Sequence, residues 1–258
     1  MPQPKSTNQR KQDYPDILDV IFNYEGQGDY QLIIDHLNFL DSKNIFAGKI
    51  VTLCNLPEMR PLYVSSSVEK VFGYRPEELL KSNKFDLSGM KQTKYFRKIS
   101  KYVGKFHNPD IDNNSHDVKY ISGGIPFRHK DGSIRRTLTK YQIDFMPKGV
   151  LPKVDVFVTY DITELLKEDS FWIYQEKIVN GKRVCQFNSG HKVERHLISP
   201  REKEVLQMIA QGKSSKEIAS SLTISIATVS QHRKNMLGRT RAKDSSSLIQ
   251  LCKICEVL

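Results

Sequence analysis

The segment that begins Ser199-Pro200-Arg201-Glu202 specifies a helix start almost to the residue. A serine hydroxyl at that place accepts from a first-turn amide, and proline at the first helical position has no amide to leave unpaired. Glu202, three residues past Ser199, can reach back to the serine amide. Val205, Leu206, Met208 and Ile209 recur at helical spacing, and Gly212 ends the run because glycine takes the left-handed conformation at little cost. Ser214 then caps a second helix with Ile218, Ala219 and Leu222 on its inner side. The link Leu222-Thr223-Ile224-Ser225 is too short for anything but a tight turn, and Ser225 caps a third helix. Three caps so closely spaced describe a helix-turn-helix.

On a helical wheel Val229, Met236 and Leu237 fall on one side with Ile226, while Ala227, Gln231, Lys234 and Asn235 fall on the other. A short, polar, cationic outer face suits the major groove of double-stranded DNA, where amide and ammonium groups reach base-edge donors and acceptors. At Ser199-Pro200-Arg201-Glu202, Lys216-Glu217-Ile218-Ala219 and Thr228-Val229 through His232, the chain resembles the LuxR (GerE-type) DNA-binding domain. The resemblance implies that Ser230, Gln231 and Lys234 face bases, with Ala227 beside them, and that Lys216, Thr228 and His232 touch phosphate. Arg233 lies on the inner half of the wheel and is expected to snorkel or to contact the DNA backbone rather than to read bases. One departure stands out: Thr240-Arg241-Ala242 occupies the place where the family usually shows Leu-Gly-Val.

The last helix, opened by Asp244 or a neighbouring serine, carries Leu248, Leu251, Cys252, Cys255 and Leu258 on one stripe. That is more apolar surface than a terminal helix hides on one side of a small domain. The family resemblance implies a homodimer contact there, with two recognition helices on half-sites about one DNA turn apart. The alternative is a helix folded wholly onto its own domain. Cys252 and Cys255 share the stripe, so oxidation would link two chains if the sulfurs reached disulfide geometry.

A net charge of +11 over 258 residues fits a nucleic-acid partner, although a basic chain alone describes only a solvated surface. The length allows two modest domains, each with a core. With no run of eighteen apolar residues and no charged-then-apolar leader, a soluble, cytoplasmic chain with no membrane partner is expected. Four cysteines fit a reducing compartment, and Cys252-x-x-Cys255 has no second pair or nearby histidine, so no metal site is expected.

Residues 1–13 are polar, basic and proline-bearing and read as a disordered tail. Apolar spacing predicts short helices over 16–24 and 30–40, within an N-terminal helical unit of 14–44. From 45 to 168 the order is strand (50–53), strand (62–64), helical segments (67–80), an amphipathic helix (91–106), then extended runs over 119–129, 133–145 and 154–160. Asp131-Gly132 joins the first two of those runs as a hairpin. Tyr63 through Leu79, Lys130-Asp131-Gly132-Ser133 and Asp161-Ile162-Thr163-Glu164 together resemble a PAS domain. The resemblance implies a five-stranded antiparallel sheet flanked by helices, so the fold class is α+β: a PAS-like sheet followed by an all-α four-helix domain at 197–258. Phe72, Phe96, Tyr102, Phe127, Leu138 and Phe157 are candidates to line its interior, either as a packed core or around a small-molecule ligand.

No cofactor is evident. A flavin adduct needs an Asn-Cys-Arg-Phe type of loop, and Cys54 lies instead on the first expected strand. His107 stands near where haem-binding relatives place a ligand, yet a lone histidine at a helix end equally caps the dipole. Asp161 is expected to cap a helix through Leu165-Leu166 that leaves the domain. Between the domains (169–196), apolar strands flank Asn180-Gly181, and 189–196 reads as the hinge.

These features describe a transcriptional regulator with no catalytic residues: a PAS-like domain that senses a signal or mediates dimerisation controls the helix-turn-helix, with a contact to RNA polymerase implied. The alternatives are a sigma-factor-like promoter-binding protein, a PAS-containing enzyme, and a signalling adaptor acting through protein contacts. A sigma factor would need a helical DNA-melting domain in place of the β-rich middle, and an enzyme would need a nucleophile-base cluster or phosphate loop.

Overall fold

The computed structural model describes residues 30–55, 60–81, 118–143, 154–168, 171–179, 182–188, 193–194 and 196–258. The tail at 1–13 and the expected helices over 16–24 and 91–106 lie outside them, as do Phe96, Tyr102 and His107. Helix α1 spans Gln31–Ser42, strand β1 Ile50–Asn55 and strand β2 Arg60–Val64. The helical segments expected over 67–80 are two helices, α2 (Ser67–Phe72) and α3 (Pro76–Leu80). Gly73, with φ +76°, caps α2 in the left-handed conformation, and Arg75 before Pro76 is extended, so the chain cannot continue as one helix. Strands β3 (Val118–Arg128), β4 (Ile134–Ile143) and β5 (Val154–Asp161) follow. Gly132 takes φ +90° in the hairpin between β3 and β4.

Strands β6 (Trp172–Val179), β7 (Lys182–Asn188) and β8 (Val193–Glu194) extend the sheet to eight strands in the order β2-β1-β5-β4-β3-β6-β7-β8, all antiparallel. The five strands that the PAS resemblance implies are therefore present, and the interdomain hairpin continues them. Within the expected hinge, Val193 pairs with Asn188 and Glu194 with Phe187, while 189–192 and 195 lie outside the described residues. A two-residue strand carries no periodicity by which the sequence could announce it.

Directly paired residues of antiparallel strands share a face, so the register sorts the side chains. One face carries Thr52, Phe157, Thr159, Thr139, Thr137, Ser122 and, past the bulge at Gly124, Phe127. Helix α2 covers part of it, with Phe72 stacked on Phe127 at 3.9 Å between centroids. Leu138, expected beside those residues, is on the opposite face: it pairs with Gly123 and Tyr160 and is fully buried there. That second face packs on α1 at one end, through Leu53, Tyr63 and Val156 against Ile33, Leu37 and Leu40. Toward the other end Ile121, Leu138, Trp172, Tyr174 and Phe187 join one continuous apolar core with the C-terminal helices.

Trp172 lies directly over Gly123 on the neighbouring strand: a Cβ built on that glycine would meet the indole Cε2 and Cζ2 at 2.3 Å. A glycine is required there so that a wholly buried indole can lie on the backbone.

The helix expected through Leu165-Leu166 is a single 3₁₀ turn, Thr163–Leu165. Asp161 Oδ1 accepts from the Thr163 amide at 2.9 Å, as expected of a cap, but Leu166 is extended and forms an antiparallel bridge with Ala242. Pairing with a distant strand segment removes Leu166 from any helix.

Candidate nucleic-acid interface

The C-terminal domain has four helices: α4 (Pro200–Ala210), α5 (Ser215–Leu222), α6 (Ile226–Thr240) and α7 (Ser245–Ile254). Each starts on an expected cap. Ser199 accepts from the Glu202 amide, Ser214 from Glu217, Ser225 from Thr228 and Asp244 from Ser247. Glu202 and Glu217 return the bond to the Ser199 and Ser214 amides at 2.8 Å each, completing two capping boxes. Thr223, at φ +54°, makes the tight turn from α5 toward α6.

Val205, Leu206, Ile218, Val229, Met236, Leu248, Leu251 and Cys252 are buried and hold the four helices together. Under them lies an ion pair that sequence spacing does not reveal. Arg239 Nη1 donates to Glu202 Oε2 at 2.8 Å and to the Leu197 carbonyl at 2.8 Å, and both side chains are nearly enclosed. Burial alone would push the Glu202 carboxyl up, but hydrogen bonds from Arg239 and the Ser199 amide, with the charge of Arg239, hold it below its ordinary value. Arg201 Nη2 donates to the Leu222 carbonyl at 2.8 Å, tying the start of α4 to the end of α5.

Helix α6 presents Ala227, Thr228, Ser230, Gln231, Lys234 and Asn235 to solvent, and Lys216 is exposed on α5. Gln231 Nε2 donates to Asn235 Oδ1 at 2.7 Å, which orients both amides along one face. His232 is half-buried. Arg233 does not snorkel out: it donates to the hydroxyls of Ser215 at 3.0 Å and Ser245 at 3.1 Å, bracing the first turns of α5 and α7 against α6. Ile226, expected on the inner side, is 51 % exposed beside Ala227, because the first turn of α6 projects beyond the core. Its exposed apolar side chain suits a thymine methyl or a sugar.

The stripe on α7 is covered within the chain. Leu248, Leu251, Cys252 and Cys255 are buried and Leu258 is partly so, which leaves them no room for a second copy in this arrangement. The expected oxidative link between chains through Cys252 and Cys255 is likewise closed off, and burial pushes the Cys252 thiol up to about 12. Among the described residues no helix is long and apolar enough to cross a membrane, and no cluster of three or more His, Cys, Asp or Glu side chains is set to hold a metal ion.

Residues 196–252 match the family model described as bacterial regulatory proteins, luxR family. The spore germination protein GerE of Bacillus subtilis is 37% identical over 62 residues, which are 24% of this chain and 84% of GerE. The chain belongs to the luxR family. Its proteins are transcriptional regulators that bind DNA, not enzymes. The transcriptional regulatory protein MctR of Rhizobium johnstonii is 40% identical over 53 residues, 20% of this chain, and the match spans about a quarter (25%) of MctR. A solved structure of the Vibrio cholerae VqmA dimer in the absence of target DNA aligns over 83% of this chain and 86% of that one, at 18% identity with a TM-score of 0.30, too loose a superposition to bear on the fold.

In this luxR-family chain Arg241, at the place of the usual glycine, ends α6 with φ +60°. The departure therefore keeps the left-handed turn and strains it. Arg241→Gly should raise the thermal unfolding midpoint by the equivalent of about 1 kcal/mol, the cost of that conformation for a side-chain-bearing residue. The ion pair lost with it, Arg241 to Glu168, is half exposed at both ends and contributes little.

Proposed function

We propose that this chain is a sequence-specific transcriptional regulator in which the PAS-like domain (45–168) receives a signal or pairs two chains, and through 169–196 controls the DNA reader at 197–258. The observation that carries this reading is the polar, exposed face of α6 on a domain whose buried side is continuous with the core of the sheet. In this reading Ser230, Gln231 and Lys234 read base edges beside Ala227 and Ile226, while Lys216, Thr228 and His232 meet phosphate. Arg233 acts as a brace rather than a phosphate contact, since both of its Nη atoms are engaged by serines. The small-molecule site, if occupied, lies on the face of Phe72, Phe127 and Phe157, where the Thr139 and Thr159 hydroxyls are 3.0 Å apart and offer polar anchors. Binding as a homodimer and contact with RNA polymerase belong to the same reading.

Binding to a randomised duplex library tests it. Lys216→Ala should weaken binding to every sequence about equally and flatten its salt dependence, because phosphate contacts carry no base information. Gln231→Ala or Lys234→Ala should instead shift preference at particular base pairs by about 1–3 kcal/mol. If both variants select the parent site, α6 does not read bases.

A further inference from the structure

Ile226 is the one large apolar side chain of the reader that stands exposed among the described residues. The fold does not ask for it. At the start of α6 the residue before the cap is Ile224, and its counterpart one turn into the helix is Val229; both pack into the core of the domain. Those are the two positions of a hydrophobic staple, which fixes how the chain enters a helix. Ile226 comes after the cap and stays outside that core, so in the free protein its apolar surface is left in water.

The first turn of α6 nevertheless holds Ile226 in a fixed place. The Thr228 amide donates to Ser225 Oγ at 3.0 Å, and the Ile224 amide to the Ala219 carbonyl at 3.0 Å, closing the turn from α5. Arg201 grips the Leu222 carbonyl of the same turn. Branching at Cβ leaves isoleucine one strongly preferred rotamer in a helix, so the side chain is presented in one direction. Spacing sets that direction. Residues four apart lie one above the other on a helix, and Ile226, Ser230 and Lys234, at i, i+4 and i+8, are all exposed. Ile226 therefore extends the row of Ser230 and Lys234 toward the helix N-terminus, the end that a recognition helix of this motif puts against base edges. Eight residues of helix separate it from Lys234 by about 12 Å, so the two meet different base pairs.

In the major groove the base edges carry donors, acceptors and one apolar group, the C5 methyl of thymine. A branched alkyl side chain satisfies no donor or acceptor, and pressing it on one strips that group of water without replacing the bond. Against a methyl it takes apolar surface out of water on both sides. We propose that Ile226 is a specificity-determining residue that reads the C5 methyl of a thymine, at the end of the half-site met by the first turn of α6. This rests on the reading of α6 as the base-reading helix.

Replacing thymine with deoxyuridine tests it, because the change removes that methyl and keeps every hydrogen-bonding group. The duplex that the full chain selects from the randomised library is substituted one thymine at a time. Wild-type protein should bind about fourfold more weakly when the contacted thymine loses its methyl, the effect of one buried methyl group. Ile226→Ala should bind the thymine and deoxyuridine duplexes equally at that position, and keep the preferences that Gln231 and Lys234 set. Its helical circular dichroism should match wild type, since no buried contact is removed. Ile226→Val, which keeps the branched Cβ, should retain part of the difference.

Wild-type indifference to deoxyuridine at every thymine of the site overturns the proposal. So does a methyl sensitivity that survives unchanged in Ile226→Ala, which gives the contact to Ala227 or another residue. Weaker binding of Ile226→Ala to every sequence alike makes Ile226 a sugar contact and overturns it too. Failure of the underlying reading is a different result, Gln231→Ala and Lys234→Ala both selecting the parent site, and it removes the proposal with it.

Discussion

Arg239→Leu should destabilise the DNA-binding domain by about 3–5 kcal/mol, because it leaves the enclosed Glu202 carboxylate without its cation. The loss reaches beyond one ion pair. Arg239 also holds the Leu197 carbonyl, and Glu202 is the return half of the capping box on Ser199, so the start of α4 and the end of α6 loosen together. The pH dependence identifies the cause. In the wild type the folded Glu202 carboxyl lies below its ordinary value, so its contribution is fully present above the unfolded carboxylate range and is lost as pH falls through the folded value. In Arg239→Leu burial is opposed only by the Ser199 amide and hydroxyl, so the variant should lose less stability than wild type on moving from neutral pH to about pH 4. Thermal unfolding at the two pH values, followed by helical circular dichroism, measures both effects. A variant equal to wild type at neutral pH would show that the pair contributes nothing net.

Gly123→Ala should be the most damaging small substitution in the sheet. The added methyl falls 2.3 Å from the Trp172 ring, and a ring buried to 1% exposure has nowhere to swing. Overpacking of this kind costs about 1–3 kcal/mol, and more where the clash is against a rigid group. Because Trp172 and Phe187, 5.9 Å apart, belong to the core that continues into Leu197 and Leu206, the damage should appear in the reader as well as in the sheet. Gly123→Ala combined with Trp172→Leu should recover part of the loss, since the smaller side chain vacates the space. Near-ultraviolet circular dichroism of the one tryptophan, with the unfolding midpoint, checks both variants. An unchanged indole signal and midpoint would mean the ring is not held on Gly123.

The parts of this molecule that the sequence announced are those governed by neighbours along the chain. Four caps, at Ser199, Ser214, Ser225 and Asp244, depend on residues at most three positions away, and all four stand where they were expected. The strands of the PAS-like sheet and the Asp131-Gly132 hairpin followed from alternation and turn chemistry in the same way. What depends on distant partners was not legible. The side of the sheet on which Leu138 sits is decided by its pairing with Gly123 and Tyr160, and a bulge at Gly124 shifts the register beyond it. The Glu202–Arg239 pair links helices 37 residues apart. Ser215 and Ser245 capture Arg233 although nothing in its helical position demands it. In the candidate site the exposed face of α6 was readable from its wheel, apart from Ile226, whose exposure depends on how far α6 projects past the core. The apolar stripe of α7 was readable too, but what covers it was not.

The pairing of Ile50 with Thr159 has a consequence for how the chain comes into being. Strand β1 cannot find its central neighbour until β5 has been synthesised, so the sheet closes late and through long loops, a slow kind of folding. The four C-terminal helices also pack on one another, over shorter separations than that of β1 from β5, and such contacts form faster. The Leu166–Ala242 bridge needs both, so it should be the last contact made. For an interval after synthesis each new chain would then carry a folded reader on an undocked tether, before the sheet has acquired any hold on it.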